Sequence, residues 1–359
     1  VVNNKIENIS NSAMLELSDL KEGELGILCG GPPCQGFSVA GERLSDDPRN
    51  HLFKEFLRAA RVFSPAWIVM ENVPNLLNNA AIAGALTTDL DELETNNGVD
   101  YEFGFSVVNA AGYGVPQTRS RLIIIAKRSD VNLVKDFRYS DFVEPIFSIG
   151  PTLFGSPQYT TFDEAVSDLP IIHSGEGDEK MAYSNSASTP YQMLMRGEIP
   201  IADFFQAKNI TISERTASIR RSPMVYNHRA QNHNSVLIER FNNIPEGGSK
   251  EDLREKRPDL LPPEGHPDQG LTYGRLWRDK PATTIPANYS RPSGNRSIHP
   301  WIPRLITPRE AMRLSSFPDC YELKDLKVAQ REQVGNAVPP LLAFHIARMI
   351  ANTWKDIKN

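Results

Sequence analysis

The sequence predicts an α/β fold, a parallel sheet with crossover helices, followed by a smaller and loop-rich second domain. Three observations predict it. From Leu25 to Lys127 short apolar runs alternate with stretches of helical spacing. Between about Phe142 and Gly270 that periodicity weakens while Pro, Gly, Ser and Asn accumulate. The 359 residues are enough for two domains at roughly 150 residues each. Strands fit Leu25–Cys29, Trp67–Met70, Phe105–Asn109 and Leu122–Ala126. Between the first two, Leu52, Phe53, Phe56, Leu57 and Ala60 recur on one helical face, and Ser64-Pro65 ends the helix, giving a βαβ unit. Helical patterning returns at Pro308–Leu314 and at Leu341–Trp354, where Leu342, Ile346, Met349 and Thr353 line one stripe.

Composition narrows the class. Hydrophobic residues make up 40% and charged residues 23%, so a sizeable core can be buried. The longest purely aliphatic run, Leu122–Ala126, is far short of the roughly 20 residues a bilayer crossing needs. Val1 to Ser12 lack the basic head and apolar stretch of a signal peptide, so a cytoplasmic setting is expected. Three cysteines cannot form a disulfide framework, and they show no metal-ligand spacing with the seven histidines. Cys29, inside a strand, and Cys320 read as buried structural thiols. A net charge of -5 argues against a globally basic nucleic-acid binder but allows a local basic face.

The sharpest local signal is Gly30-Gly31-Pro32-Pro33-Cys34-Gln35-Gly36-Phe37-Ser38, at the carboxyl end of the first strand. Glycines permit close approach, and prolines stiffen the exit from the sheet, so Cys34 is presented on a rigid perch. Ligands of open α/β sheets bind beyond the carboxyl ends of the strands, and a thiolate there can attack an electron-poor carbon. The second strand runs into Glu71-Asn72-Val73-Pro74. A carboxylate at that end shares the crevice with Cys34, and burial favours its protonated form. In Pro116-Gln117-Thr118-Arg119-Ser120-Arg121, period-two geometry puts Gln117, Arg119 and Arg121 on one face, a row suited to phosphate oxygens and a base carbonyl. Gly335-Asn336-Ala337-Val338-Pro339-Pro340 leads into the last helix through prolines tolerated in its first turn.

Together these pieces resemble the DNA (cytosine-5) methyltransferase family. Pro32-Pro33-Cys34-Gln35 is similar to its nucleophile motif, Glu71-Asn72-Val73 to its acid motif and Gln117-x-Arg119-x-Arg121 to its arginine motif. Arg304 to Asp319 resembles its late block and Gly335 to Pro340 its closing motif. The resemblance implies a Rossmann-like parallel-sheet methyltransferase core, incomplete at the amino end, with a smaller loop-rich target-recognition domain. It places the catalytic core in residues 1–141, target recognition in 142–276, a joining block in 277–333 and a returning helix in 334–359. It also implies that Cys34 adds to C6 of a flipped-out cytosine while Glu71 donates to N3, with S-adenosylmethionine as methyl donor. Asn72 would position Glu71, Arg121 would contact the base carbonyl and Arg119 would support the site. Pro32, Asn336, Ala337 and Val338 would hold the cofactor. Gly36 to Arg49 suits a loop that closes over the base.

The expected partner is double-stranded DNA. Gln35, Ser38 and Gln117 are its expected contacts near the base. Arg215, Arg220, Arg221 and Arg229 lie in a stretch without acids. From Leu271 to Arg313, Arg291 and Arg296 belong to eight basic residues that outnumber the two acids, Asp279 and Glu310. Binding that uses these charges should weaken steeply with salt.

The family's opening Phe-x-Gly-x-Gly turn and ribose-holding acid have no counterpart before Cys34; Lys5 to Ser10 resembles at most a third cofactor motif. A second chain or an amino-terminal segment supplying cofactor strands is therefore expected, and poor cofactor binding by these residues alone. The first strand should show an open edge, and the last helix should lose part of its packing surface. The alternative function is a non-catalytic DNA-binding relic or partner subunit. The tRNA-acting branch is less expected, since its Cys-Phe-Thr motif is missing.

Overall fold

Leu122 to Ala126 are all buried, and this apolar run is the middle of the central sheet. A computed structural model describes residues 4–32, 51–78, 80–96, 98–147, 159–212, 218–261, 263, 272–324 and 327–355. Its strands are β1 (Ile27–Gly30), β2 (Trp67–Asn72), β3 (Tyr101–Asn109), β4 (Gln117–Thr118), β5 (Ser120–Arg128), β6 (Gly177–Met181), β7 (Val225–Arg229), β8 (Gly274–Arg275), β9 (Ala282–Thr283) and β10 (Arg296–Ile298). Its helices are α1 (Asn11–Ser18), α2 (His51–Phe63), α3 (Ala80–Asp91), α4 (Tyr139–Val143), α5 (Phe162–Val166), α6 (Pro190–Arg196) and α7 (Ile201–Ala207), then α8 (Ser235–Asn242), α9 (Lys250–Lys256), α10 (Pro308–Leu314), α11 (Lys327–Asn336) and α12 (Pro340–Thr353). The chain divides into two units, residues 1–108, 120–144 and 345–359 in the first, and 109–119 and 145–344 in the second.

The first unit is built on a four-stranded sheet in the order β1-β2-β5-β3. β1 and β2 are parallel, with Ile27 opposite Trp67 and Gly30 opposite Met70. β5 is the exception within the expected parallel sheet, because it runs antiparallel to β2, with Glu71 opposite Ile123 and Asn72 opposite Leu122. The reason lies in the connections. A parallel return needs a crossover of a dozen or more residues, usually a helix, and between β3 and β5 the chain holds only a 3-10 turn and β4.

Ile68, Met70, Leu122, Ile124 and Ala126 pack with Phe56, Leu57 and Ala60 of α2 and Leu86 and Leu90 of α3. Trp67 alternates to the other face, where its ring lies 5.9 Å from Phe137 and 5.6 Å from Phe142. Burial on both faces explains why these strands read as continuous apolar runs. β1 is an edge strand that exposes Ile27 and Cys29, so the expectation of a buried Cys29 is corrected. Cys320 is half-buried. On α12, Leu342, Ile346 and Thr353 are buried and Met349 half-buried, so most of the stripe is covered.

Among the described residues, one run, Val328–Thr353, matches a membrane span by length and composition alone. The run comprises α11 and α12, separated at Ala337–Pro339, and buries Val334, Leu341, Leu342, Ile346 and Ile350 as core helices do.

The second unit replaces long periodic elements with short capped ones. Thr161, Ser249 and Thr307 form capping boxes with Glu164, Asp252 and Glu310, and Thr189 and Asn234 cap α6 and α8. Phe147, Tyr191, Leu194, Phe204, Phe205, Leu276, Met312 and Leu314 fill its core. β6 and β7 pair antiparallel, with Gly177 opposite Arg229.

Charge is buried with this core. Glu310 accepts from Arg304 at 2.7 Å, and His299 lies 3.6 Å from the same carboxylate. Burial lowers His299 to about 3 and His233 to about 4, the neighbouring Arg304 contributing to both. An unfolded histidine titrates near 6.5. Between that value and the folded ones the unfolded chain binds more protons, so stability is complete above about pH 6.5 and declines as pH falls through 4 and 3. The denaturant midpoint should therefore be lower at pH 5 than at pH 7.5, and His299→Gln should flatten the decline. A midpoint unchanged across that interval would contradict the buried-neutral histidines.

Candidate active site

Because β1 and β2 are parallel and in register to Gly30 and Met70, the residues that follow lie side by side, Gly31 just past the end of β1 and Glu71 still within β2. β5 arrives from the opposite direction and sets Ile123 across from Glu71, so Arg121, two residues earlier, lies diagonally on the same face. Its Nε sits 2.7 Å from Glu71 Oε1, both side chains being nearly buried at 12% and 13% exposure. Arg121 Nη1 also donates to the Ser120 carbonyl at 2.7 Å. Burial pulls the Arg121 guanidinium below its ordinary value, and the Glu71 charge opposes that shift.

Two further features fix this corner. A Cβ on Gly31 would lie 3.3 Å from Glu71 Oε2, so the glycine leaves room for the carboxylate. Asn72 Nδ2 donates to the Pro32 carbonyl at 3.0 Å, and its Oδ1 accepts from the Val73 amide at 2.8 Å. The start of the Pro-Pro-Cys loop is thereby tied to the end of β2. Cys34, Gln35, Ser38 and Arg215 lie outside the described residues, as does all of Gly36 to Arg49.

The C-5 cytosine-specific DNA methylase family matches residues 1–352 of this chain. The chain belongs to that family. The methylase is 32% identical to the type II methyltransferase M.DdeI of Desulfomicrobium norvegicum, over 95% of this chain and 78% of that one. It is 30% identical to M.AgeI of Thalassovita gelatinovora, over 96% and 87%. Among solved structures, a prophage-encoded DNA modification methyltransferase from E. coli superposes with a TM-score of 0.66 at 23% identity, covering 98% of this chain and 85% of that one, a likeness of fold. The methylase is thus an enzyme of the class that methylates C5 of cytosine in DNA.

The row expected of Gln117, Arg119 and Arg121 does not form. Gln117 is fully buried in the second unit, donates to the Leu314 carbonyl and Ser315 Oγ at 3.2 and 3.0 Å, and accepts from the Ile285 amide at 3.0 Å. Its amide is engaged inside the methylase, which corrects the expectation that it faces DNA. Arg119, also buried in that unit, donates to the carbonyls of Gly335 and Ile285 at 2.8 and 3.3 Å. It braces the Gly335 corner, where a Cβ would meet the Ala287 backbone nitrogen at 2.2 Å.

Of the cofactor candidates, Pro32 follows β1, Asn336 is exposed at the end of α11, and Ala337 and Val338 are half-buried. Of the DNA candidates, Arg220, Arg221, Arg229 and Arg291 are exposed. Arg296 is a correction: its guanidinium donates to the Gly247 and Gly248 carbonyls at 2.8 Å and to Arg275 O, and stacks on Trp277. Sequence reasoning missed the Glu71–Arg121 pair, although an arginine two residues into a strand adjoining an acid was its available signal.

Proposed function

We propose that this methylase acts on a cytosine flipped out of a specific duplex sequence, with Cys34 as nucleophile and Glu71 as acid. The observation that carries the proposal is the corner at the ends of β1 and β2. There the Asn72 amide holds the Pro32 carbonyl, two residues before Cys34, while Arg121 holds the Glu71 carboxylate. C6 of a stacked cytosine is out of reach, so the base leaves the helix at a cost of about a few kcal/mol. The Cys34 thiolate adds to C6 as N3 takes a proton from Glu71, and the ring becomes an enamine nucleophilic at C5. After substitution at C5, water takes the C5 proton, Cys34 leaves as thiolate and N3 returns its proton to Glu71, which restores the aromatic ring.

Arg121 shapes the acid step. A guanidinium in contact with a carboxylate favours the charged form and works against burial. Glu71 therefore takes a proton from water as the pyrimidine enters and desolvates the corner, and passes it to N3. The freed Arg121 donors would then face the base carbonyl.

S-adenosylmethionine supplies an electrophilic methyl group when bound. The exposed Asn336 amide, with a donor and an acceptor, suits the polar end of such a cofactor, and Val338, two residues on, offers apolar contact. Residues 142–276 are proposed as the target-reading domain, 1–141 as catalytic core, 277–333 as the joining block and 334–359 as the returning helix. The relatives' names place them in type II systems, and the same modification role is proposed here.

Hydrogen exchange tests the chemistry without the methyl donor. The enamine can take a proton at C5 in place of a methyl group, so tritium at C5 of duplex cytosine should pass to water in the presence of this chain. Tritium retained by DNA that the protein demonstrably binds would overturn the Cys34–Glu71 reading.

A further inference from the structure

The eight basic residues between Leu271 and Arg313 are not one surface. Arg275, Arg296, Arg304, Arg309 and Arg313 spend their donors on carbonyls or carboxylates inside the second unit. Arg278 and Lys280 do not. Both are exposed, and neither head group makes a hydrogen bond or ion pair among the described residues.

They are nevertheless held. The Arg278 guanidinium lies 4.4 Å from the centre of the Trp301 ring, and Lys280 Nζ lies 5.0 Å from that of Trp277. Trp301 is fixed edge-on against Phe162 and His299, with centroids 5.8 and 4.4 Å away. Trp277 packs over Gly247, where a Cβ would meet its Nε1 at 2.1 Å. The backbone is pinned as well: the amides of Phe162 and Asp163, at the start of α5, donate to the carbonyls of Lys280 and Arg278 at 2.9 and 3.0 Å. A cation over an aromatic face gains about 0.5–1 kcal/mol at an exposed site while its N–H groups stay available, so the loop presents two pre-ordered donors.

We propose that Arg278 and Lys280 form a shelf that grips two phosphates of the DNA backbone. The proposal rests on duplex DNA being the substrate. Exposed, unneutralised cations on rigid supports suit phosphate oxygens, which carry charge but no sequence information. Asp279, exposed between them, opposes the contact.

The test is duplex binding across a salt series by the wild-type chain and by R278A/K280A, on one DNA that is methylated and one scrambled. Loss of two phosphate contacts should flatten the log affinity against log salt plot by roughly 2 and weaken both duplexes by the same factor. R278K/K280R should keep the slope, and Asp279→Asn should tighten binding. A double variant with the wild-type slope, or one weakened on the methylated duplex alone, would overturn the shelf. A wild-type chain with no salt-dependent duplex binding would instead overturn the substrate reading as well.

Discussion

Glu71→Gln is expected to lower methyl transfer by about 10²–10⁴-fold, the range a positioned general acid supplies. The substitution keeps the shape of the side chain and a donor able to hydrogen-bond N3, but an amide cannot release a proton. Attack at C6 would then build negative charge on a ring with no proton to accept, and the enamine would not form. Tritium release from C5 should fall in parallel, because it depends on the same enamine, whereas duplex affinity should change little. The variant also leaves Arg121, only 12% exposed, facing a neutral amide. Arg121→Gln provides the contrast: the carboxylate remains but loses the guanidinium that orients it, so exchange should fall less than in Glu71→Gln. Exchange by Glu71→Gln equal to wild type would remove Glu71 from the chemistry.

The parts of this corner differed in how openly the sequence displayed them. Trp67–Met70 and Leu122–Ala126 were legible because strands buried on both faces are apolar throughout, and Pro308–Leu314 because a threonine cap and first-turn proline announce its start. The direction of β5 was not, since direction is set by the connection and not by the strand's own residues. Alternation along Gln117, Arg119 and Arg121 assumed one continuous strand, whereas the structure ends β4 at Thr118 and begins β5 at Ser120. Gln117 and Arg119 then belong to the second unit and Arg121 to the first. Composition also could not separate Arg278, which faces solvent, from Arg296, which closes three carbonyls. Both contribute +1 to any charge tally. Helices of five to eight residues, as in α5 to α9, are too short to establish a 3.6-residue period, which is why the second unit read as loop.

Arg313→Met should destabilise the second unit by about 3–5 kcal/mol, the cost of breaking a buried ion pair by removing one partner. Arg313 is fully buried on α10 and touches two acids, Asp168 at 3.2 Å and Asp319 at 2.5 Å, both themselves shielded from solvent. It donates to the Ala165 carbonyl at 2.8 Å as well, and its own carbonyl accepts from Tyr191 Oη. Asp319 lies below the ordinary carboxylate value despite burial, because Arg313 and then Arg309 stabilise its charge and Tyr183 donates to it. Methionine fills most of the volume but leaves Asp168 to Arg196 alone and Asp319 to the longer 3.5 Å contact with Arg309. An apolar replacement of the whole network could be neutral, but a single deletion strands charge. Pairing Arg313→Met with Asp319→Leu should therefore recover part of the loss. The denaturant midpoints of wild type, both single variants and the double variant decide it: a double variant as unstable as the sum of the singles would mean that Arg313 and Asp319 act independently, and that packing volume, not charge, holds α10 in place.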